Sequence, residues 1–593
     1  MKRQTKPRSV NLTGMFGLRK MPLLSPEMAA AGISPGGEGG QWPRDLVWGK
    51  RGELALCIDV GGLYLSSDGG KSWNLSMEGF SARGCNTVAF DPEGTAPMLA
   101  VGGNSMDFDP GWLGGKTPHG LYCWRAKESR WEQVVPVMEG TGGRVAYDPY
   151  SYGVIPGACT VAYYLTPKSG LFQCDELGHA GVRMKEWRTI SDPLGGEDRD
   201  AYLRIGPQAG VHRITELAQG IETTRRNYVP GIVWIGGKRG LLASKDGGRT
   251  FQRLREQTVH GLDVTDSGLV FVSDAGGVHQ STDEGKTWTT LPGNRLELKG
   301  KPVQNIRVSP ADPKRLSCWI KGDNYQWVRS ISHDGGESWQ PITIESKNCV
   351  LPNNVRDGYF AWSPTDSNTV FGIGGDTVTK STDGGKTFRW SANGYNGIML
   401  GGYFNFSTHA PDSVFLAFQD YNAAVTRDNG KTWQFIGNLT FSGPDVSLSD
   451  PTNKNILFAS NLRSIDGGKT WKPMPGCDGV YTHATGVLVG KKGKIIVLSN
   501  DHGATWQRVA EAPGEIYDLA VDPLKPDVLY VGGSADIYAT SATVCRSQDV
   551  GKTWENLTAA SEPREVNAIR VHPKTREVWL NGQCYGMWRL SPI

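Results

Sequence analysis

Five aspartates stand in short turns flanked by glycine or small polar residues: Asp59 (Ile-Asp-Val-Gly-Gly), Asp274 (Ser-Asp-Ala-Gly-Gly), Asp323 (Gly-Asp-Asn-Tyr), Asp376 (Gly-Gly-Asp-Thr) and Asp420 (Phe-Gln-Asp-Tyr-Asn). Two such carboxylates brought together, one protonated and one ionised, would supply general acid–base catalysis. Each alone has a plainer use, accepting hydrogen bonds from the backbone N–H groups of its own turn. Asp59 lies nine residues before Asp68, and Asp420 eight before Asp428. These similar offsets set both near a repeating element of the chain.

The element is an eight-residue phrase, Ser66-Ser67-Asp68-Gly69-Gly70-Lys71-Ser72-Trp73 in its first copy, read as Ser/Thr-x-Asp-x-Gly-x-Thr/Ser-aromatic. It returns at 244–251, 281–288, 332–339, 381–388, 426–433, 464–471, 499–506 and 547–554, nine copies in all. From Asp246 onward the central aspartates are 37, 51, 49, 45, 38, 35 and 48 residues apart. A period in this range marks stacked units, each too small to bury its own apolar face. The phrase suits a turn between antiparallel strands: the aspartate accepts bonds from following N–H groups, the hydroxyl two before it braces the loop, and glycine supplies a left-handed conformation. The closing aromatic starts the next strand and offers a large apolar body to a neighbouring unit.

Around the phrase each unit reads alike, as a β-run ending in Asp-Pro or similar (Val88-Ala-Phe-Asp-Pro), a second run, a Gly-rich turn, a third run and the phrase. About twelve units are counted, three of them without the phrase, at 122–131, 171–187 and 568–590. Such punctuated short strands predict an all-β fold of four-stranded blades, and propellers typically close with 4–8 of them. Twelve therefore predicts tandem β-propellers: an extended arm over 1–42, a seven-bladed first propeller over 43–395 and a second propeller over 396–593. The arm can close a propeller or contact a partner. Residues 207–230 break the rhythm with Ile214, Leu217 and Ile221 at helical spacing, which predicts a short surface helix.

Successive antiparallel turns alternate ends of a blade. The aspartate turns must then gather on one propeller face, opposite the repeated phrases. Enlarged loops fall at the same level: 103–119, with Trp112, and 535–543. Binding groups usually sit on such loops.

The chain has 593 residues, Gly 78, Trp 20, 21% charged residues and net charge +3. No long Lys/Arg run indicates a nucleic-acid partner. Ten scattered cysteines without a CxxC pair read as buried free thiols, and ten histidines without HExxH or paired spacing indicate no metal site. No cofactor is implied. No stretch is apolar enough to span a bilayer, and no apolar run follows the basic Met1-Lys-Arg to form a secretory leader.

The repeated phrase is identified as the Asp-box of sialidase-like β-propellers. Within that group, Ile58-Asp59-Val60-Gly61-Gly62-Leu63-Tyr64 resembles the Thr-Asp-Val-Gly-Gly-Ala-Tyr stretch of family 74 glycoside hydrolases, tandem-propeller endo-β-glucanases and xyloglucanases. The resemblance implies an inverting two-carboxylate hydrolase acting on a polysaccharide between two propellers. It assigns Asp420 as general acid and Asp59 as base, with carboxyl groups ~6.5–9.5 Å apart. Tyr421-Asn422 replace the family's Gly-Gly after Asp420. Substrate-binding candidates are Trp112, Tyr122, Trp124, Tyr403, Tyr421 and Asn422, each also readable as core or inter-blade packing. The resemblance further implies an extracellular setting.

Two other classes stay open. A non-catalytic Asp-box propeller binding glycan or protein, like sortilin-type receptors, assembly factors or phage virion parts, predicts that Asp59 or Asp420 is buried in its turn or on the wrong face. A sialidase would carry an arginine triad starting at Arg-Ile-Pro, for which Leu203-Arg-Ile-Gly-Pro is the nearest stretch, and a polysaccharide lyase would need a Tyr or His base such as His409 or His483.

Overall fold

The computed structural model describes residues 16–21 and 39–592, apart from gaps of three residues or fewer and the stretches 104–118, 138–141, 152–157, 176–183, 212–227, 293–301, 322–326, 346–357, 392–395, 407–411, 419–422, 437–446, 534–542 and 558–565. Among the described residues there is no α-helix, and the sheets are built almost throughout from antiparallel pairs. Most of the stretch expected to be helical falls in 212–227, outside the described residues. The chain divides into two compact units, 40–347 with 352–392, and 1–39 with 348–351 and 393–593.

The larger unit is a seven-bladed propeller. Its first blade pairs Pro43–Trp48, Leu54–Ile58, Gly62–Ser66 and Asn74–Leu75 in sequence order. Six more sheets repeat this meander, opening with Cys85–Ala89, Arg144–Tyr147, Tyr202–Gly206, Gly261–Val264, Val303–Ser309 and Gly358–Trp362. These opening strands lie side by side around the axis, and that of the seventh blade returns to that of the first. The seventh sheet carries an extra strand, Thr343–Glu345, parallel to Thr387–Trp390.

Every blade is apolar on both faces because both are covered. Leu54–Ile58 and Ile232–Gly237 are buried along their whole length, and each apolar cluster straddles two neighbouring blades. Met77 and Phe80 of the first pack with Tyr122 and Trp131 of the second; Trp319 and Ile331 of the sixth pack with Phe360 and Phe388 of the seventh. Each such side chain contributes roughly 1.5–3 kcal/mol on burial. The ring closes with directed bonds as well: Trp48 Nε1 donates to Ala361 O at 3.2 Å, Trp73 Nε1 to Ser391 O at 2.6 Å, and Lys380 Nζ to Gly69 O at 2.8 Å.

The Asp-boxes form one repeated cage. In the first, Ser66 Oγ donates to Asp68 Oδ1 (2.8 Å) and accepts from Gly70 N (2.9 Å), while Ser72 gives its N–H to Oδ1 (2.9 Å) and its hydroxyl to Oδ2 (2.6 Å). Gly70 has φ +81°, and a β-carbon there would stand 2.5 Å from the Phe371 ring of the next blade. Thus the glycine serves the turn and the blade contact together.

The smaller unit contains five four-stranded sheets, opening with Leu400–Phe406, Ser447–Ser449, Gly479–Ala484, Asp518–Asp522 and Ala568–Val571. Neighbours are joined by apolar packing and polar pairs, such as His502 with Asp450 (2.8 Å) and Arg570 with Asp518 (2.7 Å). In the last sheet Phe16–Met21 is the outermost strand, antiparallel to Gly586–Pro592 from Phe16 opposite Pro592 to Met21 opposite Met587. The sequence count of about twelve four-stranded blades, seven in the first propeller, agrees with these sheets. All eight described cysteines are buried free thiols. Among the described residues no helix is long and apolar enough to cross a membrane.

Candidate active site

Asp59 follows the second strand of the first blade. Ile58 pairs with Gly62 and Leu54 with Ser66, so the turn after Ile58 and the box after Ser66 lie at opposite ends of one hairpin. Pro43 also pairs with Ile58, which brings the start of the opening strand to the Asp59 end. From there Arg44 Nη2 reaches Asp59 Oδ1 at 3.2 Å. The Asp59 side chain is 0% exposed and that of Arg44 32% exposed, so the pair runs from the interior outward to the rim. Gly84 completes the enclosure: it bridges to Gly62 in parallel, and a β-carbon on it would fall 1.7 Å from the Asp59 carbonyl oxygen.

Arg44 also faces the propeller axis. There Asn86, Arg144, Arg199, Asp200 and Tyr359 join it around a cavity of about 40 Å³. These residues come from the first, second, third, fourth and seventh blades, which places the cavity on the axis, at the rim that holds Asp59. Sequence reasoning missed this set. Its signal was present: Arg44, Asn86, Arg144 and Tyr359 each stand first or second in the opening strand of a blade. A comparison of that one position across the repeats finds them.

Asp274 lies at the same end of the fifth blade, as the last residue of the strand Val270–Asp274 and opposite the box of Asp283. It is a structural hub. His279 Nε2 sits 2.9 Å from Oδ1, Arg255 Nη2 2.8 Å from Oδ2, and Gly276 N donates at 2.7 Å. Burial works against its charge, but the His279 bond and its other donors hold the carboxyl below its ordinary range. This is the turn-capping use of a rim aspartate.

Two aromatic candidates are described with their side chains. Tyr122 is fully buried between blades, its ring 4.3 Å from Phe80 and its hydroxyl 2.9 Å from Ser81 Oγ, so neither ring face is open to a sugar. Trp124 lies further along the same strand, away from the Asp59 rim, half-buried and edge-on to Trp131 at 5.4 Å. Tyr403 belongs to the strand Leu400–Phe406, but its side chain is outside the described residues, as are Trp112, Asp323, Asp376, Asp420, Tyr421 and Asn422. The strands flanking Asp420, Val414–Phe418 and Ala423–Thr426, pair from Val414–Thr426 to Ala417–Ala423. The box begins at Thr426, at the other end of that hairpin.

No protein-family model matches the chain. In sequence it resembles curated xyloglucanases: one of a Paenibacillus species is 23% identical over 48% of this chain, and one of Acetivibrio thermocellus 26% identical over 49%. These alignments span 29% and 37% of the relatives, so the chain matches about a third of their length. Sortilin of Danio rerio is 26% identical over 39% of this chain and 28% of its own. In fold, the chain is similar to the crystal structure of the GH74 xyloglucanase from Xanthomonas campestris, with TM-score 0.54 and 17% identity over 97% of this chain and 87% of that one. A GH74 enzyme of Niastella koreensis gives TM-score 0.53 at 16% identity, over 92% and 83%. The chain therefore resembles the family 74 glycoside hydrolases in its tandem Asp-box propellers.

Proposed function

We propose that the protein is a glycoside hydrolase that cleaves a β-glucan- or xyloglucan-like polysaccharide with inversion, in a groove between its propellers. Asp59 acts as general base and Asp420 as general acid. In this reading Asp420 protonates the glycosidic oxygen as its bond to the anomeric carbon breaks. Asp59 takes a proton from the water attacking that carbon from the opposite face. The separation required, ~6.5–9.5 Å, leaves room for that water. Trp112, Tyr403, Tyr421 and Asn422 are the proposed sugar contacts. The substrate class is carried over from the named activity of the xyloglucanase relatives.

The observation that carries the proposal is the position of Asp59. It sits at the propeller end opposite the boxes and is gripped by Arg44 at 3.2 Å, so its carboxylate is held in one orientation beside the axis.

The test is sugar release from a panel of β-glucans that includes xyloglucan. Asp59→Ala and Asp420→Ala should each lower turnover at least a hundredfold, the scale of a lost general acid or base. The first product should carry the α-anomer. Unchanged cleavage in both variants would remove the mechanism.

One observation favours a second reading, a non-catalytic propeller that binds glycan or protein: the Asp59 side chain is 0% exposed, as that reading expects. It predicts saturable binding to a glycan or protein with no product released.

A further inference from the structure

The axial cavity has a charge pattern that neither the fold nor the proposed hydrolysis requires. Three guanidinium groups and one carboxylate line it, Arg44, Arg144 and Arg199 against Asp200. Arg44 is engaged with Asp59 and Arg199 with Glu197. Arg144 has no carboxylate partner among the described residues, and its bond goes to the Gly143 carbonyl oxygen at 2.8 Å. Nearby, Arg307 bonds only carbonyl oxygens among the described residues, those of Leu262 and Ile306, and lies over the Tyr359 ring at 5.6 Å. Paired arginines elsewhere in the ring show that it can neutralise a guanidinium when it needs to: Arg204 meets Asp263 at 3.0 Å.

The walls are fixed. Asn86 is 4% exposed and tied through Nδ2 to Gly142 O at 2.6 Å. Next to it, Thr87 bonds Asp45 Oδ2 at 2.7 Å, locking the first blade to the second. Beside the cavity Tyr202 is pinned through its hydroxyl to Asn305 Oδ1 (2.5 Å) and His260 O (2.9 Å). Asp200 is exposed, which gives solvent a way in. A cavity of about 40 Å³ has room for roughly three waters, comparable to a carboxylate or sulfate group.

We propose that this cavity is a binding site for a small oxyanion, with Arg144 as its principal donor and Arg44 and Arg199 assisting. Guanidinium groups bind carboxylate, sulfate and phosphate through paired charge-assisted N–H bonds. With Arg44 and Arg199 already paired, Arg144 and the nearby Arg307 outnumber the Asp200 carboxylate, and such an excess of positive charge around a preformed polar cavity attracts an oxyanion. The oxyanion is either a free inorganic ion or the carboxylate of an acidic sugar. Because Arg44 touches both the cavity and Asp59, an occupant adjoins the candidate active site. The site itself is independent of hydrolysis and is read by binding alone.

The experiment is calorimetric titration of the full chain with sulfate, phosphate and glucuronate at constant ionic strength. Saturable binding by at least one is expected, weakened roughly tenfold to a hundredfold in Arg144→Gln, as for a lost hydrogen bond between charged groups. Asp200→Asn removes the repelling carboxylate at an exposed position, so it should tighten binding about threefold or more. Tighter binding of glucuronate than of the inorganic ions identifies an acidic sugar as the occupant, and the reverse order a free anion. No saturable binding, or affinity unchanged in Arg144→Gln, overturns the proposal. If Arg144→Gln does not fold, absence of tightening in Asp200→Asn overturns it.

Discussion

Arg44 and Asp59 form an ion pair of 3.2 Å whose carboxylate is wholly enclosed and whose guanidinium lies partly in solvent. Removing one member of a buried pair leaves a desolvated charge, which costs more than the pair itself was worth. Arg44→Met should therefore destabilise the first propeller by about 3 kcal/mol. Restoring charge balance in Arg44→Met/Asp59→Asn should recover much of that loss. Denaturant unfolding of both variants checks this; equal destabilisation in single and double variants would show that the pair is not coupled.

The Asp-boxes predict an acid limit. In Asp283 the hydroxyl of Thr287, then its N–H, hold the carboxyl down at about 2, against an ordinary value of 3.8. Asp246, Asp334, Asp383, Asp466, Asp501 and Asp549 are likewise held at about 2. Between about 2 and 4 the unfolded chain binds protons that the folded one does not, so stability rises with pH across that window. It should be fully present above pH ~4 and be lost as pH falls toward ~2. A thermal midpoint unchanged from pH 5 to pH 2 would contradict the box geometry.

Two glycines separate turn strain from packing. Gly70 combines φ +81° with the Phe371 ring 2.5 Å from its missing β-carbon, whereas Gly52 has φ +86° and nothing within 4 Å among the described residues. Gly52→Ala should cost about 1–2 kcal/mol for the left-handed backbone alone. Gly70→Ala should cost about 2–4 kcal/mol, since the Phe371 ring must also move. Equal losses on urea unfolding would mean that the first and seventh blades do not meet there.

Arg329 should prove a liability. Its guanidinium is buried over the Trp319 ring at 4.4 Å, and none of its three nitrogens has a hydrogen-bond partner among the described residues. Burial pushes its pKa down from the ordinary guanidinium range to about 9. A cation whose folded pKa is depressed destabilises below that value, and the penalty fades as pH rises above about 9 toward the ordinary guanidinium range. Arg329→Met keeps the length of the side chain and should raise stability by about 1–4 kcal/mol at pH 7. A lower midpoint in that variant would show that the charge has a partner in solution.

Blades were legible because their signals are local. An Asp-box closes its bonds within seven residues, as Ser66 to Ser72 do, and alternation along Leu54–Ser66 fixes which end Asp59 occupies. The axial arginines were not legible from local pattern. Arg44, Arg144 and Arg199 converge only once seven sheets have closed, and the residues beside any one of them do not record that meeting; only comparing opening-strand positions across the repeats brings out Arg44 and Arg144. Tyr122 shows a related limit: on a strand covered on both faces, residue type does not tell an inter-blade ring from a sugar platform. The burial of Asp59 was equally hidden, since it depends on Gly84 and Arg44 arriving from other strands.

The pairing of Phe16–Met21 with Gly586–Pro592 bears on how the protein emerges from the ribosome. Met21 and Met587 are 566 positions apart, so at 5–20 residues per second the early strand waits about half a minute to two minutes for its partner. During that interval its N–H and C=O groups have no ladder of their own, and any other open strand edge can capture them. The last sheet of the smaller unit is then the final one to be completed in synthesis, while all seven blades of the larger unit can already be in place.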